Sequence, residues 1–306
     1  MYLFSNFRMT SQAATGSNCI VNSICKIPIM GQKVEIAEPS ELFKPFVQYY
    51  KYIETDFTGI YKIVPIPYIE LYFNFTKLNL FSPEYYDLGL PRIHLAGLHL
   101  YDQSAYSNMF GTERKGGFCI VFRPRGFYNL FRIKSSDCCK YCVTGDSVFK
   151  RDVYYLWEQL NLCRGINSMK ELFENYCSGF AEWHASSLDL IDHIVRRMDE
   201  TNGMIRVSQL CNTYNITPRS LERHFIEEIG IPAKELLQIF RINKAIRILA
   251  EKPNANLAGL SYLSGYFDQS HFIKDIKKIT GISPGQLQRT ESGNKPVHNR
   301  LFIKSQ

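Results

Sequence analysis

Residues 265–284 read GYFDQSHFIKDIKKITGISP, and the pattern decides the architecture of the C-terminal half of the chain. Phe272 and Ile276 stand four apart and share one face of a helix, while Gln269, Ser270, His271 and Lys274 occupy the opposite face. Asp268 is an N-cap residue that places the start of this helix. Gly265 can take the left-handed backbone that a tight turn between two helices requires. Working outward, the stretch from Leu257, LAGLSYLSGYFDQSHFIKDIKKITGIS, matches an earlier one from Val207, VSQLCNTYNITPRSLERHFIEEIGIP. Leu210 answers Leu260, Asn215 answers Gly265, Leu221 answers Phe272 and Phe225 answers Ile276, with one residue inserted in the second turn. Each copy reads as a short helix, a turn and a second, capped helix. Thr217 before Pro218 plays the capping role in the first copy.

The polar faces of the two second helices carry chemistry. Arg219, Ser220, Glu222 and Arg223 in the first copy, and Gln269, Ser270, His271 and Lys274 in the second, bear groups able to hydrogen-bond base edges. Arginine pairs with guanine and glutamine with adenine, whereas an acid such as Glu222 either accepts from cytosine or orients Arg223. Lys277 and Lys278 suit phosphates. Any solvated helix shows polar residues opposite an apolar stripe, so the charge distribution matters. The chain has a net charge of +7, and residues 241–306 hold eleven Lys and Arg against four Asp and Glu, which accounts for all of it. A basic end on a balanced body points to a polyanionic partner at that end.

The first half has a different texture. A length of 306 residues accommodates two domains. In IELYFNFT, Ile69, Leu71, Phe73 and Phe75 alternate with Glu70, Tyr72, Asn74 and Thr76, a strand period. GGFCIVF repeats it with Phe118, Ile120 and Phe122, and Pro65, Pro67, Pro83 and Pro91 read as turns or strand starts. RPRGFYNLF then turns helical through Phe127, Leu130 and Phe131. After residue 150 the period is helical. Ser168 and Glu171 form a capping-box pair, followed by a stripe of Met169, Leu172, Phe173, Tyr176 and Phe180. Leu188, Ile191, Val195 and Met198 form the next stripe, which Asn202-Gly203 stops. The fold class is α+β. The expected division is a loosely ordered arm (1–37), a β-rich regulatory or ligand-sensing domain (38–150) and a helical connector (151–185), then a double helix-turn-helix domain (186–290) and a basic tail (291–306).

Other chemistries find little support in the residues. Nine cysteines without a small-domain disulfide pattern fit a reducing compartment. Cys139 and Cys142 are half of a zinc site with no second half at zinc spacing, so they read as partly buried free thiols beside Cys138. His94 and His99, five apart on a strand, point to opposite faces and do not share a metal. No nucleophile elbow, P-loop or dinucleotide fingerprint occurs, so neither catalysis nor a cofactor is expected. The aromatics Tyr49, Tyr50, Tyr52, Tyr61, Tyr68, Tyr72 and Phe73 suit either an ordinary sheet core or an apolar ligand pocket. The 166–180 stripe reads as core against the β domain, with dimerisation as its alternative. No apolar run reaches the roughly 18 residues of a membrane span, and the first residues make a poor signal peptide, so a cytoplasmic, nucleoid-associated protein is expected.

Residues 188–289 resemble the DNA-binding domain of the AraC/XylS family of bacterial transcription regulators. The resemblance rests on NITPRSLERHFIEEIGIPAKELLQIFRINKAIRIL followed by LSYLSGYFDQSHFIKDIKKITGISPGQLQR, above all on GYFDQSHF and the closing GISP. It implies a long helix from Pro232 to about Ala250 joining the two units, with Arg241 among its phosphate-facing residues. It further implies that the second helices of the units enter successive major grooves about 34 Å apart. By position it gives Arg219, Ser220, Glu222, Arg223, Gln269, Ser270, His271 and Lys274 the base-reading roles. Asn215 departs from the glycine often found there in the family. PYIELYFNF (67–75) and FRPRGFYNLF (122–131) resemble, more weakly, the N-terminal domains of uncharacterised AraC relatives, which sense small molecules or hold dimers. The partners expected are double-stranded DNA, a small-molecule effector at the N-terminal domain, a second copy of the chain, and RNA polymerase if the protein activates. The alternative is a small-molecule-binding or enzymatic β domain fused to a non-specific DNA-binding module.

Overall fold

The computed structural model describes residues 32–55, 59–63, 66–75, 79–82, 85–89, 93–96, 103–107, 116–138, 143–144, 149, 152–184, 189–252, 254–280, 283–286 and 300–302. Its N-terminal half is built on a six-stranded sheet. In chain order the strands are β1 (Gln32–Ala37), β2 (Val47–Thr55), β3 (Gly59–Ile63), β4 (Ile69–Asn74), β5 (Asn79–Ser82), β6 (Tyr85–Gly89), β7 (Ile93–Ala96), β8 (Gln103–Ser107), β9 (Gly117–Phe122) and β10 (Val143–Thr144). The large sheet runs β1-β2-β9-β4-β7-β10. β9 is central, antiparallel to both β2 and β4, with Leu71 opposite Ile120 and Phe73 opposite Phe118. Strand β11 (Arg300–Phe302) pairs with β3, which also pairs with β8.

The alternation read from the sequence is what the sheet uses. Ile69, Leu71, Phe73, Phe75, Phe118, Ile120 and Phe122 all point into one buried core. The other face is covered too: Glu70 and Asn74 are buried there, alongside a smaller apolar cluster of Tyr49, Ile66, Tyr68, Cys119 and Val121. A charged pair survives on that face because it is complete. Lys51, fully buried, donates to Glu70, which also accepts from the Tyr72 hydroxyl, and the Lys51 ammonium stands 5.4 Å from the Tyr72 ring centre. Tyr50 is core as well, stacked on Phe118 with its hydroxyl donating to Glu174 (3.1 Å). Of the aromatic set, Tyr49, Tyr50, Tyr52, Tyr68 and Phe73 are thus buried packing residues.

Several expected boundaries move. Residues 32–37 are not arm but β1, paired residue for residue with β2, so the sheet starts before the sequence pattern shows it. The connector expected over 151–185 is helical between residues 152 and 184 and belongs to the packed first half. Its helices α3 (Asp152–Leu162) and α4 (Ile166–His184), which follow α1 (Gly126–Phe131) and α2 (Ser135–Cys138), pack on the sheet. The Phe173 ring lies 6.0–6.5 Å from those of Tyr50, Phe73 and Phe118. The capping box at Ser168 does not form, because α4 begins at Ile166; the Ser168 hydroxyl instead donates back to the Arg164 and Gly165 carbonyls. The buried stripe of α4 is Ile166, Met169, Phe173, Cys177 and Ala181, while Tyr176 and Phe180 are 37% and 47% exposed. The terminal segment is not wholly a tail, since Arg300–Phe302 adds a strand. Residues 1–31, Pro65, Pro83, Pro91, His99, Cys139, Cys142 and Leu188 lie outside the described residues.

The C-terminal half is helical: α5 (Leu190–Glu200), α6 (Val207–Tyr214), α7 (Pro218–His224), α8 (Ala233–Glu251), α9 (Leu257–Leu263) and α10 (Gln269–Thr280). Asp189 caps α5, accepting from the Ile191 and Asp192 N–H groups, and Asp192 completes the box. Ile191, Ile194, Val195 and Met198 face inward, and left-handed Asn202 and Gly203 end the turn that follows. The same apolar core continues from the sheet through α4 into these helices. The protein is α+β, a β-rich first half joined to an all-helical second half. Among the described residues no helix is long and apolar enough to cross a membrane.

Candidate nucleic-acid interface

The two repeated stretches fold as two helix-turn-helix units. In the first, α6 ends at Asn215, whose left-handed backbone (φ 49°) turns the chain. Thr217 then accepts from the Ser220 N–H (3.2 Å), and Pro218 occupies the first turn of α7. Leu221 and Phe225 are fully buried, so the helix is pinned by one face. The opposite face leaves Arg219, Glu222 and Arg223 exposed and Ser220 half-exposed. A single wider π-turn, Phe225–Ile229, continues α7 and stops at left-handed Gly230.

In the second unit, Asn256 caps α9 by accepting from the Ala258 N–H (2.9 Å). Gly265 (φ 79°) makes the turn in a left-handed backbone that favours glycine. A Cβ would also sit 2.6 Å from Met204 Cγ. Asp268 accepts from the His271 N–H (2.8 Å), the cap expected for α10. Phe272 and Ile276 are buried, and Gln269, Ser270, His271, Lys274, Lys277 and Lys278 are exposed. The long joining helix is α8, starting one residue after Pro232 and ending at Glu251.

Placement separates the candidates. Arg219, Glu222, Arg223, Gln269, Ser270 and Lys274 stand on exposed surface of the two second helices. The His271 ring has internal neighbours, lying 5.5 Å from the Tyr266 ring with Nε2 3.7 Å from Asp275 Oδ1. Lys278 shares the surroundings of Glu235, whose carboxyl is pushed up by burial, held down by Lys278 and raised by Glu222. Arg241 turns inward. It donates to the Gly203 carbonyl (3.1 Å) and stacks 5.3 Å from the Tyr266 ring centre, tying α8 to both the α5–α6 turn and the second unit. Among the phosphate candidates, Arg241 is thus engaged within the fold, whereas Lys277 is exposed.

Sequence reasoning missed a polar clasp between the two halves. Arg125, from the FRPRGF turn before α1, is buried and reaches three carboxylates on the helical half. It contacts Asp192 at 2.8 Å, Asp189 at 2.5 Å and Glu228, on the π-turn after α7, at 2.5 Å. Burial alone would lower its pKa, but Asp192, Asp189 and Glu228 together raise it. Asn129 also donates to Asp192 (3.0 Å), and the Ser135 hydroxyl donates to the Glu228 carbonyl (2.7 Å). Glu228 Oε1 in turn holds His224 Nδ1 at 2.7 Å, one residue beyond Arg223. The available signal was the pair of arginines around Pro124, but its partners lie 67 and 103 residues away.

Two helix-turn-helix units on one joining helix, each showing a capped second helix with a polar exposed face on the basic end of the chain, define a helix-turn-helix domain, an architecture that DNA-binding proteins use. Comparison with known proteins agrees: residues 210–290 match the family model described as a helix-turn-helix domain. The match covers both helix-turn-helix units, from within α6 through α10. No curated protein matches the chain. Among solved structures it is similar to ToxT from Vibrio cholerae, at 13% identity over 85% of this chain and 98% of that one, with a TM-score of 0.43. ToxT from Vibrio cholerae O395 gives 14% identity, 87% and 100% coverage and a TM-score of 0.43. Unsaturated fatty acid bound wild-type ToxT from Vibrio cholerae strain SCE256 gives 14%, 86% and 96%, with a TM-score of 0.38.

Proposed function

We propose that the protein is a sequence-specific regulator of transcription that sets α7 and α10 into successive major grooves of one duplex. The observation that supports this reading is the repeated geometry. Both second helices are capped at the N-terminus and anchored by two buried residues four apart, and both leave their first polar residues exposed. In helix-turn-helix proteins it is these N-terminal residues that meet base edges. Arg219, Arg223, Gln269 and Lys274 read bases, with Ser220, Glu222, Ser270 and His271 alongside them, and Lys277 and Lys278 bind phosphates. Affinity comes mostly from counterion release and specificity from the two helices.

The N-terminal half modulates this activity through Arg125. The clasp grips the last turn of the first base-reading unit, so a shift of α1 against α5 is felt by α7 without any contact to DNA. Competition binding on a preferred site and on random DNA tests the role assignment. Arg223→Ala and Lys274→Ala are expected to weaken the preferred site by about 1–3 kcal/mol more than random DNA, whereas Lys277→Ala weakens both alike and lowers the salt slope by about one. Equal losses on both DNAs for Arg223 and Lys274 would reduce them to phosphate contacts.

A further inference from the structure

The two units differ by one residue, and the structure shows which. In the first, Asn215 is followed by half-buried Ile216 and then by the capping Thr217. In the second, Gly265 is followed by Tyr266, then Phe267, then the capping Asp268. Tyr266 does the work of Ile216, being buried with its ring 5.3 Å from that of Phe272. Phe267 is therefore the inserted residue, and it is fully exposed, at 104% of its reference area.

A large apolar residue immediately before an N-cap ordinarily folds onto the fourth residue of the helix. Here that residue is Phe272, and Tyr266 already covers it. The Phe267 ring thus adds nothing to the core and stands in water beside Gln269 and Ser270, the first residues of α10. Its position continues the surface that the proposed function lays in the major groove. Within that groove the one apolar feature of a base pair is the thymine methyl, which aromatic and small apolar side chains recognise. An A·T pair whose adenine is read by Gln269 presents such a methyl in the same groove.

We infer that Phe267 is a specificity-determining residue that packs on the C5-methyl group of a thymine in the second half of the binding site. The inference rests on α10 acting as a recognition helix, and the test separates the two. A site is first selected from random DNA with the full chain. Each thymine of its second half is then replaced in turn by deoxyuracil, which removes only the methyl group. One replacement is expected to weaken wild-type binding about fourfold, the worth of one buried methyl-sized group. The same replacement should leave Phe267→Ala binding unchanged, and Phe267→Leu should retain part of the effect. The inference is overturned if no uracil replacement affects the wild type, if Phe267→Ala suffers the same loss as the wild type, or if Phe267→Ala weakens every sequence equally, as a contact to sugar, phosphate or another protein would. If instead Gln269→Ala and Lys274→Ala leave the selected sequence unchanged, the reading of α10 itself fails, and the inference with it.

Discussion

Replacing the buried Arg125 by alanine is expected to destabilise this protein by several kcal/mol. The magnitude follows from which partners are desolvated. The Asp192 and Glu228 side chains are 14% and 7% exposed, while Asp189 is half-exposed at 51%. The Asp189 contact, screened by water, is worth about 0–1 kcal/mol. Removing the guanidinium leaves the Glu228 and Asp192 carboxylates buried without the cation that pairs them, a loss of about 3–5 kcal/mol. The appropriate assay is urea unfolding followed by far-UV circular dichroism, with fluorescence as a second probe, since both tryptophans, Trp157 and Trp183, lie on α3 and α4. The double cycle of Arg125→Ala with Glu228→Ala should yield a coupling of about 0.5–3 kcal/mol. In the variant the helical transition should separate from the fluorescence transition, because the clasp joins the two halves. A coupling within about 0.3 kcal/mol of zero would refute the clasp.

Three further predictions concern the helical half and its contact with the first half. Gly203 is left-handed (φ 72°), and a Cβ there would fall well inside contact with the Leu237 carbonyl oxygen on α8, so Gly203→Ala should destabilise by at least about 2 kcal/mol and lower Tm by several degrees; an unchanged Tm would contradict that packing. Acid should loosen the clasp. Burial raises the Asp189 pKa, but its hydrogen bond and charge contact with Arg125, helped by the Ile191 and Asp192 N–H groups, bring it below the ordinary carboxylate range. Its folded pKa is thus below the unfolded one, so its contribution is complete above about pH 4 and is lost as pH falls through the folded value. Asp199 has the opposite sign, raised by burial against Arg123 and Arg247, so Asp199→Asn should hold or gain Tm at pH 7 where Asp189→Asn loses it.

The parts of this fold legible in the sequence are those fixed by neighbours in the chain. Leu221 with Phe225, and Phe272 with Ile276, announce their helices because the apolar spacing and the caps at Thr217 and Asp268 lie within one turn of each other. Left-handed Asn215 and Gly265 could be read in the same way. What escaped depends on distant partners. QKVEIA is a strand because β2 lies beside it, not because its own pattern demands one. On α4 the sheet selects Phe173, Cys177 and Ala181 and leaves Tyr176 and Phe180 on the rim, a rotation that amphipathicity alone does not fix. Arg241 looked like a phosphate ligand until its partners, Gly203 and Tyr266, were brought beside it. The repeat shows one extra residue in the second turn; the burial of Tyr266 and the exposure of Phe267 show which it is.

The most direct test of the account is selection of binding sites from a random DNA pool by the full-length protein. Two recognition helices in successive grooves predict enrichment of two short motifs about 10 base pairs apart, centre to centre. Enrichment of a single motif, or binding without enrichment that disappears at moderate salt, would contradict the claim that both units read sequence.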